Sequence, residues 1–169
     1  MSMSPSSPLP APAAEAALKA GRAAAREVRT QCGTSDPAEI AARLGVAVDE
    51  VEGDGGFGTV VVYADYMPRP PKVRLFLPAI AALDRRLVDY PEALPDGTRP
   101  VFLAHELFHH WEELHPDRAL LRLYRDRRLP ELAAGAFAQE LLGLKHHPEA
   151  LDRLTPPLLA PSSGGSSGS

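Results

Sequence analysis

A single cysteine, Cys32, stands among the 169 residues. One thiol cannot close an internal disulfide, so nothing implies an oxidising compartment. Basic excess is missing as well: 18 Lys and Arg face 22 Asp and Glu, for a net charge of −4. That balance argues against a protein that grips phosphate backbones by charge. No apolar run reaches the roughly 18 residues a membrane span requires. The opening MSMSPSSPLPAPAA lacks both the basic n-region and the continuous apolar stretch of a secretion signal. These absences predict a cytoplasmic protein with no membrane attachment and no direct nucleic-acid partner.

What is present suits one globular domain: 44% hydrophobic and 24% charged residues over a length that can bury a core. Residues 1–12 are Ser-, Pro- and Ala-rich and residues 156–169 form a Ser/Gly/Pro tail, so both are expected to be disordered around a folded domain at 13–155. The stretch AEAALKAGRAAAREVRTQCG is built of strong helix formers and stops at Gly33. SDPAEIAARLG carries a Ser35 or Asp36 cap, Pro37 at the first helical position and Gly45 at the end. VAVDEVEG alternates like a strand, and TVVVYADY and KVRLFLP are rich in β-branched and aromatic residues. Helical patterns follow in IAALDRRLVDY, RPVFLAHELFHHWEEL, DRALLRLYRD and LPELAAGAFAQELLGL, with a last short helix after Pro148. The order predicts an α+β fold, a small antiparallel sheet of about three strands packed with helices.

The segment VFLAHELFHHWEEL packs three histidines and a glutamate into residues 105–110. His105-Glu106-Leu107-Phe108-His109 fits H-E-x-x-H. Histidines at i and i+4 on a helix lie about 40° apart around the axis and about 6 Å apart along it. Both can therefore reach one zinc ion at roughly 2.0–2.1 Å. Glu106 is turned about 100° from His105, off the ligand line but placed to take a proton from an attacking water, as in metallopeptidases. The pattern has only three fixed positions and recurs by chance. The apolar lead-in VFLA favours the metal reading, because it sets the histidines at the buried end of a helix.

A third ligand could come from two places. His115 completes the metzincin spacing, but Glu112 stands where a metzincin turns on glycine, and no methionine follows Met67 to make the Met-turn. If HHWEEL stays helical, His115 lies about 240° round from His109 and about 9 Å further on, pointing away. Glu131 opens the next helical segment, where gluzincins place their third ligand. The face it shares with Gly135, Ala138 and Leu142 is mostly small, which would let that helix approach the motif helix. Glu131 could equally be a favourable charge at a helix N-terminus beside Pro130. Spacing does not choose between these readings.

AHELFHHW followed by ELAAGAFAQELLG resembles the ImmA/IrrE-type metallopeptidases. Phe102, Leu103 and Ala104 precede His105 as in that family's first motif. Glu131, Ala134, Phe137, Ala138, Leu141 and Leu142 match the second, E-x-x-A-(N/D)-x-F-A-x-x-L-L. DPAEIAARLGVAV looks like the family's N-terminal part, so the resemblance covers roughly residues 15–145. It implies a gluzincin-like fold, Zn2+ bound by His105, His109 and Glu131, and Glu106 as general base and acid. It also implies an intracellular protein substrate, such as a helix-turn-helix repressor encoded nearby in a phage, mobile element or stress locus. Three positions depart from the pattern. Phe108 replaces glycine, Gly135 replaces the Asn or Asp that supports the ligands from behind, and Gly143-Leu144 stand in place of Met-Pro.

An oxyanion stabiliser is expected in such a site, and His110, His115, Tyr124, His146 and His147 are candidates that spacing does not separate. A strand edge near the cleft would suit an extended peptide. DPAEIAARLGVAVDEV has the outline of a helix-turn-helix, but VAVDEVEGDG is acidic where a DNA reader would be basic. Beside the peptidase stands an alternative: a metal-binding regulatory module that acts by partner contact without cleavage.

Overall fold

The computed structural model describes residues 7–53, 61–88, 94, 96–116 and 126–148. Among them are five helices and a three-stranded sheet, in the order α1 (Ala11–Cys32), α2 (Pro37–Leu44), β1 (Ala47–Val51), β2 (Ala64–Pro68), β3 (Pro71–Phe76), α3 (Leu77–Arg86), α4 (Arg99–Leu114) and α5 (Arg128–Leu142). The fold is α+β. The expected helix over 117–126, the helix after Pro148, the turn at 54–58, the start of the strand over 59–66 and most of both terminal segments lie outside the described residues.

Local chemistry sets the boundaries. Gly33 ends α1 in the left-handed conformation, φ 67°, and its N–H donates to Arg29 O, a geometry that glycine adopts without a Cβ penalty. The Asp36 carboxylate accepts from Ala38 N at 3.1 Å and so caps α2. The strand expected to run to Pro78 stops at Phe76, because Pro78 sits in the first turn of α3, where its missing N–H costs nothing.

The sheet is mixed, which corrects the antiparallel expectation. Its order is β1-β3-β2: β2 pairs antiparallel with β3 (Tyr66 opposite Val73), and β1 pairs parallel with it (Val48 opposite Val73). Burial decides which strand takes the centre. In β3, Val73, Leu75 and Phe76 are buried, whereas β2 ends in exposed Met67 and Pro68. A strand that closes on proline belongs at an edge.

The helices stack in sequence. α1 lies along α5, α5 packs on α4, and α4 covers β2, β3 and part of α2. Trp111, Phe108, Leu103 and Leu107 of α4, Phe137 of α5, Ile40 of α2 and Leu75 of β3 fill the core between them. The entry to α4 is pinned by Asp84 from the end of α3. One of its carboxylate oxygens accepts from both the Thr98 N–H (2.9 Å) and the Thr98 hydroxyl (2.8 Å), and Thr98 is fully buried. The helix that bears the histidines therefore starts from a fixed point. No helix among the described residues is long and apolar enough to cross a membrane.

Candidate metal centre

α4 spans Arg99–Leu114 without interruption, so His105 and His109 sit one turn apart on one side of it. Their rings meet edge-on, 5.3 Å between centroids. α5 brings Glu131, from its first turn, across to both of them. The same carboxylate oxygen, Oε2, lies 2.8 Å from His109 Nε2 and 3.5 Å from His105 Nε2. The structure thus brings Glu131, which spacing alone left unassigned, to the histidine pair that spacing had joined. Glu131 is also the acidic residue of the first turn of α5, so its carboxylate serves the helix N-terminus as well as facing the imidazoles of another helix.

Glu106 is buried, and one ligand-type atom from each of His105, Glu106 and His109 falls within a sphere of mutual distances below 4.8 Å. Burial pushes the Glu106 carboxyl above the usual carboxylate range, and the neighbouring histidines pull it back. Glu131 is held well below that range by hydrogen bonds from His105 and His109. Burial opposes charge on His109. Its two nitrogens nevertheless face two carboxylates, Glu112 at 3.3 Å from Nδ1 and Glu131 at Nε2, and these hydrogen bonds push its pKa up to about 10.

Two imidazole nitrogens and a carboxylate oxygen form a donor set that suits zinc. Zinc bonds of roughly 2.0–2.1 Å in a tetrahedron put neighbouring donor atoms about 3.3 Å apart. The 2.8 and 3.5 Å from the Glu131 oxygen to the two imidazole nitrogens bracket that spacing, so the donor set matches the ion in kind and in reach. A cleft of about 690 Å³, lined by His109, Glu112, Arg127, Pro130 and Glu131, opens onto two of them, His109 and Glu131.

The other candidates are placed elsewhere. His115 follows the last turn of α4, lies against Trp111 (4.1 Å between ring centroids) and makes a 2.9 Å hydrogen bond to Trp111 O. His110 is buried and hydrogen-bonds through Nδ1 to the Tyr66 hydroxyl of β2 at 2.8 Å. Burial holds its pKa down. His146 is exposed, and Tyr124 lies outside the described residues. His147 donates from Nε2 to Leu132 O at 3.0 Å, and its ring occupies the space above Gly135, where a Cβ would meet Cε1 at 2.3 Å. The position expected to carry Asn or Asp is therefore covered by an imidazole from the following loop. Phe108, the other departure, is fully buried and packs on Phe137 at 5.6 Å, on the core side of α4 and clear of the cleft.

Sequence reasoning missed two residues at the site: Glu112 and Arg127. Glu112 stands three residues after His109, a spacing that puts side chains in contact on a helix, and that signal was readable. Arg127 carries no local signal, because the placement of α5 brings it in.

No family model, curated protein or solved structure matches this chain.

Proposed function

We propose that this protein is a zinc-dependent metallopeptidase of the two-histidine, one-glutamate class. Within that class we infer an ImmA/IrrE-type endopeptidase acting on an intracellular protein, with a helix-turn-helix repressor as the first substrate to try. The observation that carries the reading is the single Glu131 oxygen within reach of Nε2 of both His105 and His109. Zinc held there would supply a Lewis acid that polarises the scissile carbonyl and makes water acidic enough to attack near neutral pH. His105, His109 and Glu131 would hold the ion. Glu106 takes the proton from the attacking water and passes it to the leaving amine. Among the described residues β2 is an edge strand packed on α4, and that edge suits an extended peptide added as a further strand. Arg127 gives the cleft wall a positive charge that complements an anionic group on the substrate.

The test is zinc content and cleavage together, on protein purified without a metal-affinity step. Wild type is expected to hold stoichiometric zinc, Glu131→Ala to lose it, and Glu106→Gln to keep zinc while losing cleavage. No zinc in wild type, even after addition, sinks the metal centre. A Glu106→Gln variant as active in cells as wild type replaces the peptidase with a regulatory module that works by partner contact.

A further inference from the structure

Glu112 is a carboxylate in the wrong place for a surface helix residue. Its side chain is 3% exposed. One oxygen lies 3.3 Å from His109 Nδ1, and the other, Oε2, is buried with no hydrogen-bond partner among the described residues. An unsatisfied buried acceptor costs about 1–3 kcal/mol. A leucine of similar size would fill the same space without that penalty. Stability alone therefore does not explain a glutamate here, and its one polar contact is the back of a histidine whose front faces Glu131.

We propose that Glu112 is a positioning residue: by accepting from His109 Nδ1–H it aims Nε2 into the space shared with His105 and Glu131. A neutral imidazole carries one N–H, so a fixed acceptor at Nδ1 leaves Nε2 as the donor atom for a metal. The contact also fixes the rotation of the ring. Glu112 and His109 share α4 at i and i+3 and both line the cleft, so one rigid element sets the aim of the ligand. The inference rests on the zinc reading of the preceding section.

The test measures zinc affinity by chelator competition, the Co2+ absorption spectrum, and the melting temperature of metal-free protein, for wild type, Glu112→Leu and Glu112→Gln. Glu112→Leu is expected to weaken zinc by about 10–100-fold, the range found when the outer partner of a metal-ligating histidine is lost. It should also shift the Co2+ bands, with the metal-free melting temperature equal or higher. Glu112→Gln keeps an amide oxygen that can accept from Nδ1–H, and is expected to lose several-fold less. If Glu112→Leu does not fold, Glu112→Met, which also lacks the acceptor, carries the test, and an unchanged affinity and spectrum there overturn the inference. A wild type that binds zinc, with variants that bind it equally well but melt lower when metal-free, shows a merely structural pair. The inference then fails while the metal centre stands. A wild type that takes up no zinc removes both.

Discussion

Helix α5 meets its two neighbours by opposite means. Against α1 it presents alanine to a glycine: a Cβ on Gly21 would come within 2.1 Å of the Ala133 carbonyl oxygen and 3.0 Å of Ala136 Cβ, so the two backbones touch. Against α4 it presents bulk, with Phe137 on Phe108, and at its N-terminal end the bridge from Glu131 to His105 and His109. The first seam is defined by absent side chains and the second by large ones. The space at Gly135 goes to His147, and the backbone contact lies on the α1 side.

The harshest way to break the contrast is to empty the aromatic seam. Phe108→Gly would restore the glycine of the pattern this sequence resembles, yet it removes a fully buried ring from a helix interior. The loss is expected to be at least the roughly 3–5 kcal/mol typical of a large aromatic truncated to alanine, because glycine adds about 1 kcal/mol of helix penalty. Denaturant melts of metal-free protein measure it. Zinc affinity of the fraction that folds should fall too, since Phe108 and Phe137 set the gap across which Glu131 reaches. Stability within 1 kcal/mol of wild type would show that the ring is dispensable and that the departure at 108 is neutral.

Next comes the close seam. Gly21→Ala places a methyl group against a backbone carbonyl that cannot swing aside. Overpacking of this kind costs about 1–3 kcal/mol or more, which outweighs the roughly 1 kcal/mol that alanine gains over glycine in a helix. A net fall in melting temperature is expected, with zinc affinity of the folded protein unchanged, because the added methyl would meet Ala133 and Ala136 rather than a ligand. A rise in melting temperature would show that the backbones are not in contact at Gly21. A matching fall in zinc affinity would show that the two seams are coupled, and the comparison between them would lose its meaning.

That difference between seams also marks what could be seen in the sequence. The bounds of α4 were readable to the residue, because an apolar period and Pro100 in its first turn are local signals. The pairing of His105 with His109 was readable for the same reason: helix geometry alone sets it. Glu131 was readable only as one of two possibilities, since its role depends on how α5 lies against α4. The strand order was not readable at all. VAVDEVEG, TVVVYADY and KVRLFLP each announce a strand, but pairing between them is non-local, and β3 took the centre through burial that only the packed helices create. Gly21 gave no hint beyond its being a poor helix former in an alanine-rich run. The burial of Glu112 contradicts its charge, and only the assembled structure reveals it.

The smallest effect gives the sharpest sign. Gly135 sits on α5 one turn after Glu131, under the His147 ring, and a Cβ there would meet His147 Nε2 at 2.5 Å. Unlike the carbonyl at Gly21, this obstacle is a side chain on a loop and can move. Gly135→Ala in wild type should therefore displace the imidazole and sacrifice its hydrogen bond to Leu132 O, worth about 0.5–1.5 kcal/mol, which the helix gain of about 1 kcal/mol partly offsets. The expected result is a slight destabilisation. In a His147→Ala background the ring is gone, and the same substitution keeps only the helix gain, so it should stabilise by up to about 1 kcal/mol. A double-mutant cycle on melting curves reads this reversal as a coupling between positions 135 and 147. Equal effects in the two backgrounds would mean that His147 does not occupy the space over Gly135. Gly135 would then be free to take the small helix-contact role that its neighbours on α5 fill against α1.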